Sequence, residues 1–288
     1  MRPTAGTPPG AARSRLVPLS FEAAATVVDV LLATEPDVRF APHWHAEWSI
    51  GTVRRGSCRF SCEGRLLQAK EGDVVVLPPH ALHTAGVSPA VFEMVMVYLP
   101  ALPAAQWLGW PADRRPEVRQ PVRRAPRLGA ALVEAVDGAD AERLRHVLAE
   151  ALFGAVGGEP GVPLVPAVDP RIEVLCRRLQ ECHGSLPDPA ALAREIGVSR
   201  EHLHRLFRRG LGQTPRQYAR LARIAHAKAL LRDGCALAQT ASACGFADQA
   251  HFSHWFRRCF GVTPARYAAV SPAAAPARTG KSRSAGPA

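Results

Sequence analysis

The stretch "GFADQAHFSHWFRRCFGVTPARY", Gly245 to Tyr267, decides how this chain is read. It opens on glycine, nearly closes on Thr-Pro, and interleaves aromatics with His and Arg. On a helix, Phe252, Trp255, Phe256 and Phe260 fall on one apolar stripe and leave a polar, cationic face opposite. The pattern occurs twice. "LFRRGLGQTPRQY" (206–218) sets onto "WFRRCFGVTPARY" (255–267) at an offset of 49, matching Phe207 to Phe256, Gly212 to Gly261, Thr214-Pro215 to Thr263-Pro264 and Tyr218 to Tyr267. Upstream, Ala193 and Gly197 match Ala241 and Gly245 at an offset of 48.

Each copy predicts a short helix, a glycine turn with positive φ, and a second helix capped by Ser199 or Asp248. Two helices on a tight glycine turn form a helix-turn-helix. One such match is weak, whereas two that share a downstream G-x-T-P-x-x-Y are specific. The residues left outside the stripes are the types that read base edges in a major groove. They are Arg200, Glu201, His204 and Arg205 in the first copy, and Gln249, Ala250, His251, Ser253 and His254 in the second. Arg208, Arg209, Arg257 and Arg258 read as phosphate contacts.

Charge placement points the same way. The net charge is +11, yet residues 1–168 hold 17 Lys+Arg against 17 Asp+Glu, and residues 169–288 hold 19 against 8. A basic domain beside a neutral one predicts a polyanionic partner, here double-stranded DNA. The seven cysteines are scattered without a C-x-x-C pair, which argues against a disulfide framework or a zinc ribbon. No apolar run reaches the roughly 20 residues of a membrane span, and "MRPTAGTPPGAARSR" lacks a secretory apolar region. The expectation is a cytoplasmic protein with no membrane association.

Working outward, residues 21–99 show short apolar or alternating runs, "CRFSC" (58–62), "DVVVLP" (73–78) and "VFEMVMVYL" (91–99), with turns at Gly56, Gly64 and Gly72. These predict a small sandwich or barrel. Two amphipathic helices follow at 127–136 and 141–156; their stripe (Leu128, Leu132, Val136, Leu144, Val147, Leu148, Leu152) suits either a dimer or packing on the barrel. In "HWHAEW" (43–48), His43 and His45 alternate onto one face; His80 and His83 follow a Pro-Pro turn. Trp44, Trp48, Phe40 and Phe60 suit either a pocket wall or the core.

Residues 171–268 resemble the DNA-binding domain of the AraC/XylS family of bacterial transcription regulators, on "LAREIGVSREHLHRLFRRGLGQTPRQY", "RIAHAKALL" and the opening stretch. The resemblance implies that a helix at about 215–232 joins the two units and sets them in adjacent major grooves. Residues 20–100 resemble the family's cupin-type sensor barrel. Metal-binding cupins hold an ion with an H-x-H pair, a glutamate and a distant His. His43, His45 and His83 map to three of those ligands, but Ser49 and Ile50 stand where the glutamate is expected, and Glu47 is too close. The barrel is therefore expected to hold no metal and to bind a small-molecule effector at His43, His45, Glu47, His80 and His83. A divalent ion on His43, His45 and His83 is the variant.

The expected fold is α+β multidomain. Its parts are a tail (1–18), a cupin-like sensor barrel (19–100), a helical dimerisation segment (101–156), a linker (157–170), an all-α domain with two helix-turn-helix units (171–270) and a second tail (271–288). The expected function is a homodimeric, sequence-specific transcription regulator that responds to the effector and engages RNA polymerase. It is an activator by the family's habit, and not an enzyme. The competing readings are a metal-dependent cupin enzyme fused to a DNA-binding module and a ligand-independent dimeric DNA-binding protein.

Overall fold

The computed structural model describes residues 15–21, 26–33, 40–84, 92–110, 117–157, 169–181 and 187–270. Six antiparallel strands form one sheet in the order β1-β2-β7-β3-β6-β8: β1 Arg15–Phe21, β2 Thr26–Ala33, β3 Glu47–Arg55, β6 Asp73–Leu77, β7 Glu93–Pro100 and β8 Val122–Arg124. The hairpin β4 (Ser57–Cys62) and β5 (Arg65–Lys70) forms a second sheet. Its two-residue turn, Glu63-Gly64, has both φ angles positive, at 48° and 75°. That matches the right-handed strand twist of a tight hairpin. Isolated bridges from His83 to His43 and to Cys62 tie the hairpin's end to the rest of the β-domain.

Central strands β3 (up to Val53) and β6 are buried on both faces, which suits the Val74-Val75-Val76 run of β6. One face is covered by helices α2 (Pro126–Asp137) and α3 (Ala141–Gly157), with α1 (Ala101–Leu108) alongside. The stripe from Leu128 to Leu152 is buried inside this chain, so it is already used and is not a free dimer face. β8 extends the sheet into the segment expected to be helical, and β1 begins at Arg15 inside the expected first tail. Residues 1–14, 158–168 and 271–288, which hold most of the expected tails and linker, lie outside the described residues.

The C-terminal domain contains α4 (Pro170–Glu181), α5 (Pro189–Glu195), α6 (Arg200–Leu211), α7 (Pro215–Arg232), α8 (Leu237–Ala243), α9 (Gln249–Phe260) and α10 (Pro264–Val270). The internal repeat is structural. α6 and α9 each run 12 residues and end on left-handed Gly212 (φ 66°) and Gly261 (φ 73°). Thr214 and Gln217 form a reciprocal capping box at the start of α7. The repeat tyrosines are buried. The Tyr218 hydroxyl accepts from Gln180 Nε2 at 2.8 Å, and the Tyr267 hydroxyl accepts from Arg232 Nε at 3.3 Å. Among the described residues, no helix is long and apolar enough to cross a membrane.

Candidate nucleic-acid interface and effector cavity

Helices α6 and α9 start where their caps fix them. Ser199 Oγ accepts from the His202 amide at 3.1 Å, and Asp248 Oδ1 accepts from the His251 amide at 2.7 Å. Such caps contribute about 1 kcal/mol each. Leu203 and Phe207 seat α6, and Phe252, Phe256, Cys259 and Phe260 seat α9. This burial aims Arg200, Glu201 and Arg205 outward on one helix, and Gln249, Ala250 and His254 on the other, all exposed. His204 and Ser253 are half-buried. Arg208, Arg209 and Arg257 are exposed in the last turns.

Two residues are placed differently. His251 Nε2 accepts from Trp255 Nε1 at 3.0 Å, so that ring is held along its own helix. The Arg258 guanidinium lies 5.2 Å from the Trp255 ring centre, and the Arg258 carbonyl accepts from the Ala41 amide at 2.8 Å. Arg258 is therefore a junction residue as well as a surface cation.

The β-domain and the helical domain meet along α7 and the end of α9. The Trp44 indole stacks on Tyr218 with ring centres 4.6 Å apart, and the Phe40 ring packs on Gly261. Between these contacts, Lys228 Nζ donates to Glu47 Oε2 at 3.2 Å, and Arg232 pairs with Glu47 Oε1. Burial raises the Glu47 carboxyl pKa, but the two cations outweigh it and hold it at about 2. Lys228 also sits 4.8 Å from the Tyr98 ring centre.

Behind this junction is a cavity of about 60 Å³. At roughly 10–15 Å³ per enclosed water, it holds about four to six waters or a small ligand. Its wall is mostly apolar. Leu31, Phe60 and Met96 come from the strands, and Cys259 and Phe260 come from α9. His43 and His83 supply polar edges. Phe40 and Phe60 line the cavity, whereas Trp44 faces Tyr218 and Trp48 packs near Trp110.

His43, His45 and His83 come together, with ring centres 4.3–5.2 Å apart. His43 and His45 precede β3 rather than lying within it. Burial lowers the pKa of all three, that of His83 to about 4, so the rings are neutral. Of the five expected pocket residues only His43 and His83 line the cavity; His45 packs against their rings without reaching it, and the other two lie elsewhere. Glu47 points at Lys228 and Arg232. His80 occupies a turn at φ 64°, its amide donating to the His45 carbonyl, and it is not among the cavity-lining residues. Sequence reasoning missed Lys228, Arg232, Cys259 and Phe260 as site residues. For Lys228 a signal existed: a lysine on the apolar stripe of "RIAHAKALL", 223–231.

Two family models match this chain: "Helix-turn-helix domain" over residues 192–269, and "AraC-like ligand binding domain" over residues 26–156. The Arabinose operon regulatory protein of Salmonella typhimurium is 28% identical over 229 residues, covering 75% of this chain and 81% of its own length. Its Escherichia coli counterpart is also 28% identical, covering 75% and 78%. Among solved structures, unsaturated fatty acid-bound ToxT from Vibrio cholerae superposes with a TM-score of 0.54 at 13% identity, over 86% of this chain and 96% of that one. That likeness is one of fold.

Proposed function

This chain belongs to the AraC/XylS family of transcription regulators, with a ligand-binding and a helix-turn-helix domain, and on that premise we propose how the two domains work together. Helices α6 and α9 enter successive major grooves. Arg200, Glu201, His204, Arg205, Gln249, Ala250, Ser253 and His254 read bases, and Arg208, Arg209 and Arg257 hold phosphates. The effector is a small, largely apolar molecule that binds the β-domain cavity.

One observation carries the coupling: Cys259 and Phe260 of α9 form part of the cavity wall, and the same helix presents Gln249, Ser253 and His254. A ligand shifts an equilibrium only by its differential affinity for two states. An occupant that pushes on Phe260 has that leverage, because it changes how the second helix-turn-helix unit is held. The bound fatty acid of ToxT supports an apolar effector here. We assign the protein no catalytic activity. It acts as a cytoplasmic homodimeric activator that engages RNA polymerase, and dimerises through surface other than the buried Leu128–Leu152 stripe.

Genome-wide mapping of binding sites gives the operators and the pathway from which candidate effectors are drawn. A compound that raises the melting temperature of the full chain should then change its affinity for a mapped operator by about 5–150-fold, the usual range of allosteric coupling. Compounds that fill the cavity and leave DNA affinity unchanged at every operator refute the coupling.

A further inference from the structure

We propose that His43, His45 and His83 bind one divalent first-row transition-metal ion, with an open coordination position toward the β-domain cavity. The ion site stands on geometry. Its regulatory consequence rests on the effector reading above, which it deepens by naming the chemistry of the site.

Each of the three residues offers one ring nitrogen, all buried and all within 4.8 Å of one another. Around a tetrahedral ion with bonds of about 2.0–2.1 Å, ligand nitrogens lie roughly 3.3 Å apart. To hold an ion, the three nitrogens must close from as much as 4.8 Å toward that spacing. His43 and His83 are prepared in the same way. Nδ1 of His43 lies 2.7 Å from the Ala41 carbonyl, and Nδ1 of His83 lies 2.8 Å from the Ala81 carbonyl. A carbonyl is only an acceptor, so each Nδ1 carries the proton and each Nε2 keeps a lone pair. This is the outer-shell arrangement that orients metal-bound imidazoles. His45 gives the independent observation. Both of its ring nitrogens are buried and have no hydrogen-bond partner among the described residues. Buried polar groups are otherwise almost always satisfied, and an ion would satisfy this one.

The donor set selects the ion. Glu47 is occupied by Lys228 and Arg232, which leaves three neutral imidazoles. These suit zinc, nickel, cobalt or ferrous iron, not magnesium or calcium. The surroundings also select the fourth ligand. Two cations flank one carboxylate at this junction, so a dication adds to a local excess of positive charge. An anionic fourth ligand, a hydroxide or an effector carboxylate, offsets that excess. It would lie in the cavity that His43 and His83 border. The Phe260 ring centre lies 5.7 Å from that of His43 and 5.4 Å from that of His45, so the loaded site would press on the end of α9.

The test uses the full chain, stripped with chelator and titrated with Co²⁺ and then Zn²⁺. One equivalent of Co²⁺ should bind with the visible absorption of a four-coordinate nitrogen site, and Zn²⁺ should displace it. Outer-shell changes alone weaken metal sites about 10–100-fold, so His45→Ala and His83→Gln should each weaken uptake at least about 100-fold. His146→Ala, at an exposed histidine of α3, should leave uptake unchanged. Circular dichroism verifies the fold of every variant, and His83→Gln is the milder change if His45→Ala does not fold. No saturable uptake by the folded wild type, or equal uptake by wild type and either folded ligand variant, overturns the site. Effector response on operator DNA is measured on the same samples. Stripped protein that still responds overturns the metal's part in regulation and leaves the effector reading standing.

Discussion

Lys228 Nζ lies 3.2 Å from Glu47 Oε2 across 181 residues of sequence, with both side chains buried. This ion pair, extended by Arg232, joins the helix between the two DNA-reading units to the first residue of β3. Removing one partner of a buried pair strands the other charge and typically costs about 3–5 kcal/mol. Glu47→Leu strands two cations and should lower stability by about that amount in chemical denaturation. Lys228→Met leaves Arg232 on the carboxylate and should cost less. The double variant Glu47→Leu/Lys228→Met should be less destabilised than the sum of the two single changes. Additive effects would mean that the pair does not couple the domains.

In the proposed docking, α6 and α9 face the grooves of DNA. Arg205→Ala should lose about 1–3 kcal/mol at one or two base pairs of the operator and relax preference there. Arg208→Ala should weaken every sequence alike and reduce the slope of log K against log salt by about one unit. His251→Ala should act more weakly than His254→Ala, because Trp255 already holds the His251 ring along the helix. Unchanged footprints and salt slopes in the first two variants would mean that α6 lies outside the groove.

The helical half was largely legible because its signals are local. The caps Ser199 and Asp248 and the left-handed turn glycines at 197 and 245 follow from nearest-neighbour chemistry that any copy of the repeat must satisfy, whereas the 215–232 helix came from the family resemblance. The junction was not legible. Glu47 shares the alternation of His43 and His45, so period-two reasoning puts it in their pocket. A salt bridge to α7, formed only when the domains dock, turns it elsewhere. The amphipathic stripe of α2 and α3 was ambiguous for the same reason. Periodicity says that a face is buried and does not say against what.

Glu63 makes stability depend on pH. Burial raises its carboxyl pKa to about 7, although the Leu82 amide donates to it. The buried Tyr218 hydroxyl and the half-buried Cys176 thiol, both near enough to feel its charge, have their own pKa values raised, chiefly by desolvation. The folded state therefore holds the Glu63 proton more tightly than the unfolded chain does. The resulting stabilisation is full below the unfolded value near 4.5 and is lost as pH rises through about 7. The span corresponds to about 3 kcal/mol. Glu63→Gln keeps an acceptor for the Leu82 amide and does not titrate. The stability of wild type minus variant, measured by denaturation at several pH values, should fall by about that amount from pH 4.5 to 8. A flat difference would place the carboxylate in water.

Gly212 and Gly261 form a matched pair for testing the domain junction. Both end a recognition helix in the left-handed region, at φ 66° and 73°. A Cβ on Gly212 would meet nothing within 4 Å, whereas one on Gly261 would collide with the Phe40 ring of the β-domain. Gly212→Ala should therefore cost only backbone strain, about 1–2 kcal/mol. Gly261→Ala carries the same strain plus an overlap across the junction, adding about 1–3 kcal/mol. If the overlap is the cause, Phe40→Ala should recover the added part in the Gly261→Ala background, a coupling that a double-mutant cycle isolates. Phe40 also lines the cavity, so Gly261→Ala should weaken effector response while Gly212→Ala spares it. Equal costs for the two glycine variants, with no rescue by Phe40→Ala, would mean that the end of α9 does not rest on the β-domain in solution. The cavity would then lose the wall through which its occupant reaches DNA.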